Sequence, residues 1–432
     1  MKNNFKSRLI ITFALLTICL SGCMESSAVS SKPKWWKGNT HTHTFWSDGQ
    51  DYPEMVADWY KRHGYNFLTL SDHDVLSQGQ RWVDVDQRHT EANIHNKYID
   101  RFGSDWVETR QLNGKKQVRL KPLNEFRHLL EETNQFIMVQ GEELTPGKGH
   151  VNAINTIERI GAKGGNTDIE VLQNNINAVL EQEKRTGQQM FSHVNHPNWR
   201  WDLTAEDLFP LIGVQFFELY NAGGTSCMNP GDENHVSTER MWDIILAMRL
   251  GVLNLPIMYG IGTDDSHIYH KTGPELSPPG RAWIMVRSRH LTPEYIISAM
   301  EVGDFYTSNG ITLKDIQFDG KTLKVKIDAK LGVSYTTRFI GTKKGFDTKT
   351  TEHKYKEGED EHITRIYSDE IGIVLKETKG SRAEYTLAGD ELYVRATVIS
   401  NKLKRDPHFI GELETAWVQP VLFRLPLFSA QN

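Results

Sequence analysis

Cysteine is scarce in this chain of 432 residues: Cys19, Cys23 and Cys227 are the only three. That number and spacing exclude a disulfide-stapled scaffold and a thiolate zinc cluster. Beyond the N-terminus no apolar run is long enough to cross a bilayer. Basic tracts are missing too, and a formal net charge of −5 speaks against long nucleic acid as a partner. Internal repeats and low-complexity tracts are absent. What the chain does have is an ordinary globular share of apolar residues, enough length for one large domain and a smaller one, and 17 histidines.

The N-terminus reads as a secretory signal. "MKNNFKSRLIITFALLTICLSGC" opens with Lys2, Lys6 and Arg8, continues as an apolar run from Leu9, and ends Leu20-Ser21-Gly22-Cys23. That ending resembles a bacterial lipobox, which implies removal of residues 1–22 and lipidation of the Cys23 thiol. Cleavage would remove three positive charges and no acid, taking the net charge from −5 to −8 and leaving Cys227 as the one free thiol. Residues 23–34 then form a Ser-rich tether. The expected location is the bacterial cell envelope, on the outer membrane, with membrane contact through the N-terminal lipid anchor only. Met24 gives no inner-membrane retention signal and no acidic export run follows, so the periplasmic or surface face stays open.

From Trp35 to about Gly310, short apolar runs alternate with amphipathic stretches. "WWKGNTHTHT" reads as a strand entering a loop. "DYPEMVADWYKRHG" reads as a helix with Asp51 near its N-cap, Pro53 in its first turn and Gly64 closing it. "YNFLTLSDHD" is a second strand. Strand, helix and strand in about 30 residues make a βαβ unit with parallel strands, so His41, His43 and His73 share one sheet edge. Such edges are where α/β folds build sites. Residues 77–134 are a polar insertion with a helical stretch near "PLNEFRHLLEETN". After it, strands end at Glu142-Glu143, near His193 and His196, near Glu218 and Asn221, and at Asp264, Asp265 and His267, while His150 precedes another short strand. The economical architecture is a distorted (β/α) barrel. After Thr292 and Pro293 cap a last helix, period-two patterning with Asp319-Gly320 and Gly389-Asp390 turns predicts a small antiparallel, sandwich-like β domain over 313–432.

Residues two apart on an extended chain face the same way, so His41 and His43 can bind one ion. Imidazoles with carboxylates suit Zn, Mn or Fe better than Ca or Mg. The ordered series HTH, SDHD, GEE, GH, NHP and DDSH resembles the polymerase and histidinol phosphatase (PHP) superfamily over about residues 37–312. In particular it is similar to stand-alone metal-dependent phosphoesterases with a C-terminal β extension. That resemblance implies a distorted (β/α)7 barrel over 35–312 with two or three divalent ions. His41, His43, Glu143 and Asp265 would hold the first, with Glu143 bridging to a second on His150 and His196. Asp48, His73 and His267 would hold a third. The family pattern G-x-E selects Glu143 over Glu142, and histidine before proline selects His196 over His193. Asp48 stands where the family often has histidine. Amidohydrolases also carry H-x-H, but pair it with a bridging lysine that ends no predicted strand here.

The resemblance implies hydrolysis of a small phosphate mono- or diester by metal-activated water, with Asp265, His267 or His193 carrying the proton. Two alternatives stand beside it: a metal-dependent carboxyl-ester or carbamate hydrolase, and a non-catalytic envelope binding lipoprotein. Phe45, Trp46, Trp199 and Trp201 adjoin the ligand loops; such rings either pack the wall or stack on a base or sugar. Arg200, Lys148 and Arg281 are the nearest cations and the candidates to hold a phosphate oxygen. Asp72 and Asp74 either orient a ligand imidazole or cap a turn. Glu218 and Asn221 are read as pocket-lining or structural. Cys227 has no evident neighbouring cation and reads as an ordinary thiol, and His63, His89, His95 and His128 as solvated.

Overall fold

The computed structural model describes residues 32–85, 93–224, 227–357 and 360–423. The signal peptide, Cys23, most of the tether and His89 lie outside the described residues. Among the described residues, twelve strands precede residue 312: β1 (Lys34–Asn39), β2 (Phe67–Leu70), β3 (Arg81–Asp84), β4 (Thr109–Leu112), β5 (Lys115–Leu120), β6 (Ile137–Leu144), β7 (Val151–Ile154), β8 (Phe191–Val194), β9 (Phe216–Asn221), β10 (Tyr259–Thr263), β11 (Trp283–Ser288) and β12 (Phe305–Ser308).

β1 and β2 pair in parallel, joined by the helix Pro53–Arg62, as the βαβ pattern predicts. Their approach is close: a Cβ on Gly38 would lie 2.1 Å from the Phe67 ring. Pro53 opens the helix, but its N-cap is Tyr52; Asp51 stands one residue outside and accepts from the Tyr52 N–H at 2.8 Å. β6 lies parallel to β2, and β8, β9 and β10 are mutually parallel. The helix Asp168–Thr186 connects β7 to β8. Its Thr167 side chain caps the N-terminus, Leu172, Ile176 and Val179 form its buried face, and Gly187 closes it at φ +73°.

One expectation changes here. β7 runs antiparallel to both β6 and β8, because only a short loop with Gly147 and Gly149 at positive φ separates it from β6. Two reversals restore the direction, so β1, β2, β6, β8, β9 and β10 deliver their C-terminal ends to one edge. β7 delivers its N-terminal end there, and this is why His150 precedes its strand while the other candidate ligands follow theirs. The two ends of this run of strands touch. Thr42, after β1, forms a parallel bridge with Ser266, after β10, and the His43 N–H donates to the Ser266 carbonyl at 3.0 Å.

The C-terminal strands are β13 (Leu313–Phe318), β14 (Thr322–Ile327), β15 (Tyr335–Lys343), β16 (Thr350–Glu357), β17 (Asp360–Tyr367), β18 (Ile373–Lys379), β19 (Arg382–Thr386), β20 (Glu391–Leu403) and β21 (Leu413–Val421). All their pairings are antiparallel. β13, β14 and β19 form one small sheet and β16 with β17 another. The rest extend the large sheet, since β21 pairs with β12, which pairs with β11, which pairs with β1. The result is a mixed α/β fold with one 13-stranded sheet running through the 312/313 position. Leu323 and Val325 of β14 share a core with Phe339, Val394, Ala396 and Val418 of the large sheet.

The insertion is more structured than its polarity suggests. β3, β5 and β4 form an antiparallel sheet, with the helices Ile94–Phe102 and Leu123–Leu130 beside it. Val83, Ile94, Tyr98, Val118 and Leu120 pack on Phe45, Trp46 and Tyr52. His95 belongs to this layer: it is buried against Tyr52 and Lys116, not solvated. No described helix is long and apolar enough to cross a membrane.

Candidate metal centre

His41 and His43 leave β1 on the same side of the chain, their rings 5.1 Å apart, with Thr42 between them facing Ser266. The chain then turns tightly through Ser47 and Asp48. Gly49 permits this turn, because a Cβ there would sit 2.4 Å from the His43 carbonyl carbon. His73 follows β2 and is bridged in parallel to Glu143, near the end of β6. Asp265 follows β10 at φ +47°, an uncommon conformation that a functional site can hold at a cost of about 1–3 kcal/mol.

Three groups of ligand-type atoms result: His41, His43 and Asp265; Glu143, His150 and His196; and His43, Asp48, His73 and His267. Glu143 joins them. Its Oε2 lies 3.3 Å from both His41 Nε2 and His43 Nε2 and 2.9 Å from His73 Nδ1. Its Oε1 lies 3.1 Å from His150 Nδ1 and 3.3 Å from His196 Nε2. Asp265 Oδ1 stands 3.2 Å from His41 Nε2 and 3.1 Å from His43 Nε2. Asp48 lies 3.5 Å from His73 Nε2 and 3.3 Å from His267 Nε2. All nine residues selected as metal ligands from the sequence therefore converge on one edge of the large sheet.

The chemistry of the set fits cations. His41 Nε2, His43 Nε2, His73 Nδ1 and Glu143 Oε2 are buried yet make no hydrogen bond with one another or with any other group. Leaving such atoms unpartnered is expensive, and divalent ions held by these ligand groups would supply the missing partners. Burial alone would raise Glu143 and Asp265, but surrounding imidazoles hold both carboxyls well below the usual range: His41 and His73 for Glu143, His41 and His43 for Asp265. Burial would lower His41, yet Asp265, Glu143 and Glu218 keep it well above its usual value. Positive charge is what these buried carboxylates require.

The group that orients His41 is Glu218, which sequence reasoning left between pocket and structure. Fully buried inside β9, it takes His41 Nδ1 on Oε1 at 2.7 Å, which turns Nε2 toward Glu143 and Asp265. The same carboxylate accepts from Thr263 Oγ1, the His196 N–H and Asn221 Nδ2, each at 2.7 Å. Its only sequence signal is an acid two residues inside a strand of otherwise buried type. Asp72 and Asp74 cap turns: Asp72 takes Thr44 and Ser47, and Asp74 takes Thr145 and Ala162.

Four other expectations are corrected. His193 is fully buried behind His41, 3.9 Å from Glu218, and burial pushes its pKa down to about 4; it does not face the mouth of the site as a proton carrier would. Phe45 and Trp46 are fully buried under the insertion, so neither ring is open to a substrate. Arg281 is buried and committed to Asp406 at 3.0–3.1 Å and to the Leu276 and Gly273 carbonyls. Trp201 stacks on His235 at 3.8 Å. Trp199 and Arg200 are placed differently. The Trp199 ring is 5.6 Å from that of His150 and 5.3 Å from that of His196, and the exposed Arg200 guanidinium lies 4.5 Å from the Trp199 ring. Lys148 is exposed two residues before His150. Cys227 is buried, and burial with the nearby carboxylates pushes its thiol well up, as suits an unreactive thiol.

No protein-family model and no curated protein matches this chain. Among solved structures it is similar to a two-domain protein containing a predicted PHP-like metal-dependent phosphoesterase from Bacteroides vulgatus ATCC 8482. The two share 15% identity at a TM-score of 0.37, over 84% of this chain and 90% of that one. A likeness so distant transfers neither a fold nor a residue's role.

Proposed function

We propose that this chain is a metal-dependent hydrolase of PHP type that cleaves small phosphate mono- or diesters. The observation that carries this reading is Glu143, whose two oxygens face different ligand groups and so would bridge ions. In the same reading β1, β2 and β6–β10, meeting at Thr42 and Ser266, are the distorted (β/α)7 barrel. His41, His43, Glu143 and Asp265 would hold one ion, Glu143, His150 and His196 a second, and Asp48, His73 and His267 a third, with Zn, Mn or Fe suited to the donors. Bound there, such ions activate water near neutral pH and neutralise phosphoryl oxygens. The chain's residues do the rest. Glu218 and Asn221 hold His41 and Asp265 in position. Arg200 and Lys148 draw the anionic substrate to the His150 and His196 side, with Trp199 as its wall. Asp265 is left to accept the proton, since His267 donates through Nδ1 to the Asp265 carbonyl at 2.9 Å and offers Nε2 to the third ion.

One observation favours a carboxyl-ester or carbamate hydrolase instead: Arg281 is occupied by Asp406, which leaves fewer cations for a phosphate. A panel of p-nitrophenyl phosphate, bis-p-nitrophenyl phosphate and p-nitrophenyl acetate separates the readings, assayed after chelation and again with Mn or Zn restored. Metal-dependent release from either phosphate ester is the expected result; turnover of acetate alone would refute the phosphoesterase. Silence on all three with metal bound would leave a binding lipoprotein. We also propose that Cys23 is lipidated and holds the protein on the outer membrane of a bacterial envelope. Cys23→Ala should release it from the membrane fraction, and retention there would disprove the anchor.

A further inference from the structure

The connection between β20 and β21, residues 404–412, packs against the loop after β10, which carries Asp265 and His267, and against the end of β9 and the loop after it. Asp406 takes the Arg281 guanidinium, and Lys404 Nζ donates to the Arg281 carbonyl at 2.8 Å. His408 Nε2 meets the Cys227 carbonyl at 2.7 Å. Glu412 accepts from Tyr220 OH, from Asn309 Nδ2 at 2.8 Å and from the His408 N–H at 2.7 Å. Lys404, His408, Glu412, Tyr220 and Arg281 are all buried. Two short paths run from this network to Asp265. Along one, the backbone N–H groups of Gly280, Arg281 and Ala282 clamp the Asp264 carboxylate at 2.7–2.8 Å, next to Asp265 in the chain. Along the other, Tyr220 precedes Asn221, whose Nδ2 donates to Asp265 Oδ2 at 3.2 Å.

A buried ionic network is a poor source of stability, because desolvation offsets most of its attraction. What it does provide is one fixed geometry. Asp265, held at positive φ with Oδ1 toward His41 and His43, is a residue whose geometry needs fixing. We propose that the 404–412 connection is a positioning element of the metal centre, with Glu412 and Asp406 as its key residues, so that the C-terminal β region is required for metal affinity. The inference rests on reading the His/Asp/Glu groups as a metal centre; it does not depend on which ester is cleaved.

The test uses the full chain, stripped with chelator and titrated with Mn2+ by calorimetry. Glu412→Gln and Asp406→Asn should weaken Mn2+ binding at least tenfold, as loss of groups that orient metal ligands commonly does. The control is Arg395→Lys. Arg395 is an equally buried junction cation, paired with Asp243 at 2.7–2.8 Å, and its route to Asp265, through Glu239, Thr238, Asn229 and Asn221, is longer than either of those from the 404–412 connection. It should lower Tm and leave the Mn2+ affinity at the wild-type value. Wild-type affinity in both network variants, or equal weakening in the control, would overturn the proposal. If Glu412→Gln fails to fold, Tyr220→Phe takes its place. A wild-type chain that binds no Mn2+ would overturn this proposal and the hydrolase reading together. Weakened binding in a protein inactive on every ester would support this one and sink the other.

Discussion

Glu218→Gln is the most informative single substitution, because it keeps volume and shape and removes only charge and acceptor capacity. The carboxylate receives four hydrogen bonds at 2.7 Å, two on each oxygen. Burial would raise its pKa, but His41, His193 and His196 hold it down at about 2, so it is ionised at any working pH. A glutamine can keep these contacts only with its NH2 toward His41 Nδ1 and Thr263 Oγ1, which flips the His41 tautomer, while its carbonyl takes the His196 N–H and Asn221. All four bonds thereby lose a charged acceptor. At about 1 kcal/mol for each exchange of a charged for a neutral acceptor, the cost is about 4 kcal/mol of unfolding free energy in chelator, measured by urea denaturation. The His41 ring also loses the partner that fixes its tautomer, so metal affinity should fall about 10- to 100-fold. A Glu218→Gln protein within about 1 kcal/mol of wild type and unchanged in metal affinity would refute the role assigned to this residue.

Three further outcomes follow from the geometry. Trp46→Ala should cost about 3–5 kcal/mol of stability and leave substrate preference alone; altered preference in a protein of wild-type stability would contradict its burial. Arg200→Ala should raise KM for phosphate esters about tenfold with little change in kcat, a loss of roughly 1.4 kcal/mol, and an unchanged KM would remove Arg200 from the site. Glu54 is buried, and burial pushes its pKa up to about 7 against the pull of hydrogen bonds from Tyr98 and Trp106. Because its folded pKa exceeds the unfolded value near 4.5, it stabilises fully below that value and loses the contribution as pH rises toward 7. Wild type should thus lose up to about 3 kcal/mol relative to Glu54→Gln between pH 4.5 and 8 by urea denaturation, and parallel profiles would show that Glu54 does not titrate.

The ligand residues were legible because each lies at a strand end or in the loop adjoining one, and those strand ends meet at one edge. His41 and His43 needed only the two-residue repeat, and Glu143 needed its motif. Glu218 was not legible, because a buried acid inside a strand looks the same whether it orients a ligand or satisfies a core. Phe45 and Trp46 misled for a different reason. Their cover is the insertion, whose apolar face is split among β3, β5 and the helix Ile94–Phe102 and shows no single period in the sequence. Arg281 finds Asp406 at a separation of 125 residues, which no local pattern announces. The β region was readable as antiparallel strands. Its continuation into the α/β sheet depends on β12 and β21 meeting edge to edge, and pairing of distant edges leaves no periodic trace.

The central claim is that Glu143 joins three ligand groups into one multi-ion centre. It is tested most directly by counting divalent ions per chain in protein supplied with Mn and Zn, for wild type and for Glu143→Gln. Wild type should carry two or three ions and the variant at most one, with the variant still folded. A wild type that retains none, or a variant that retains as many as wild type, would contradict it.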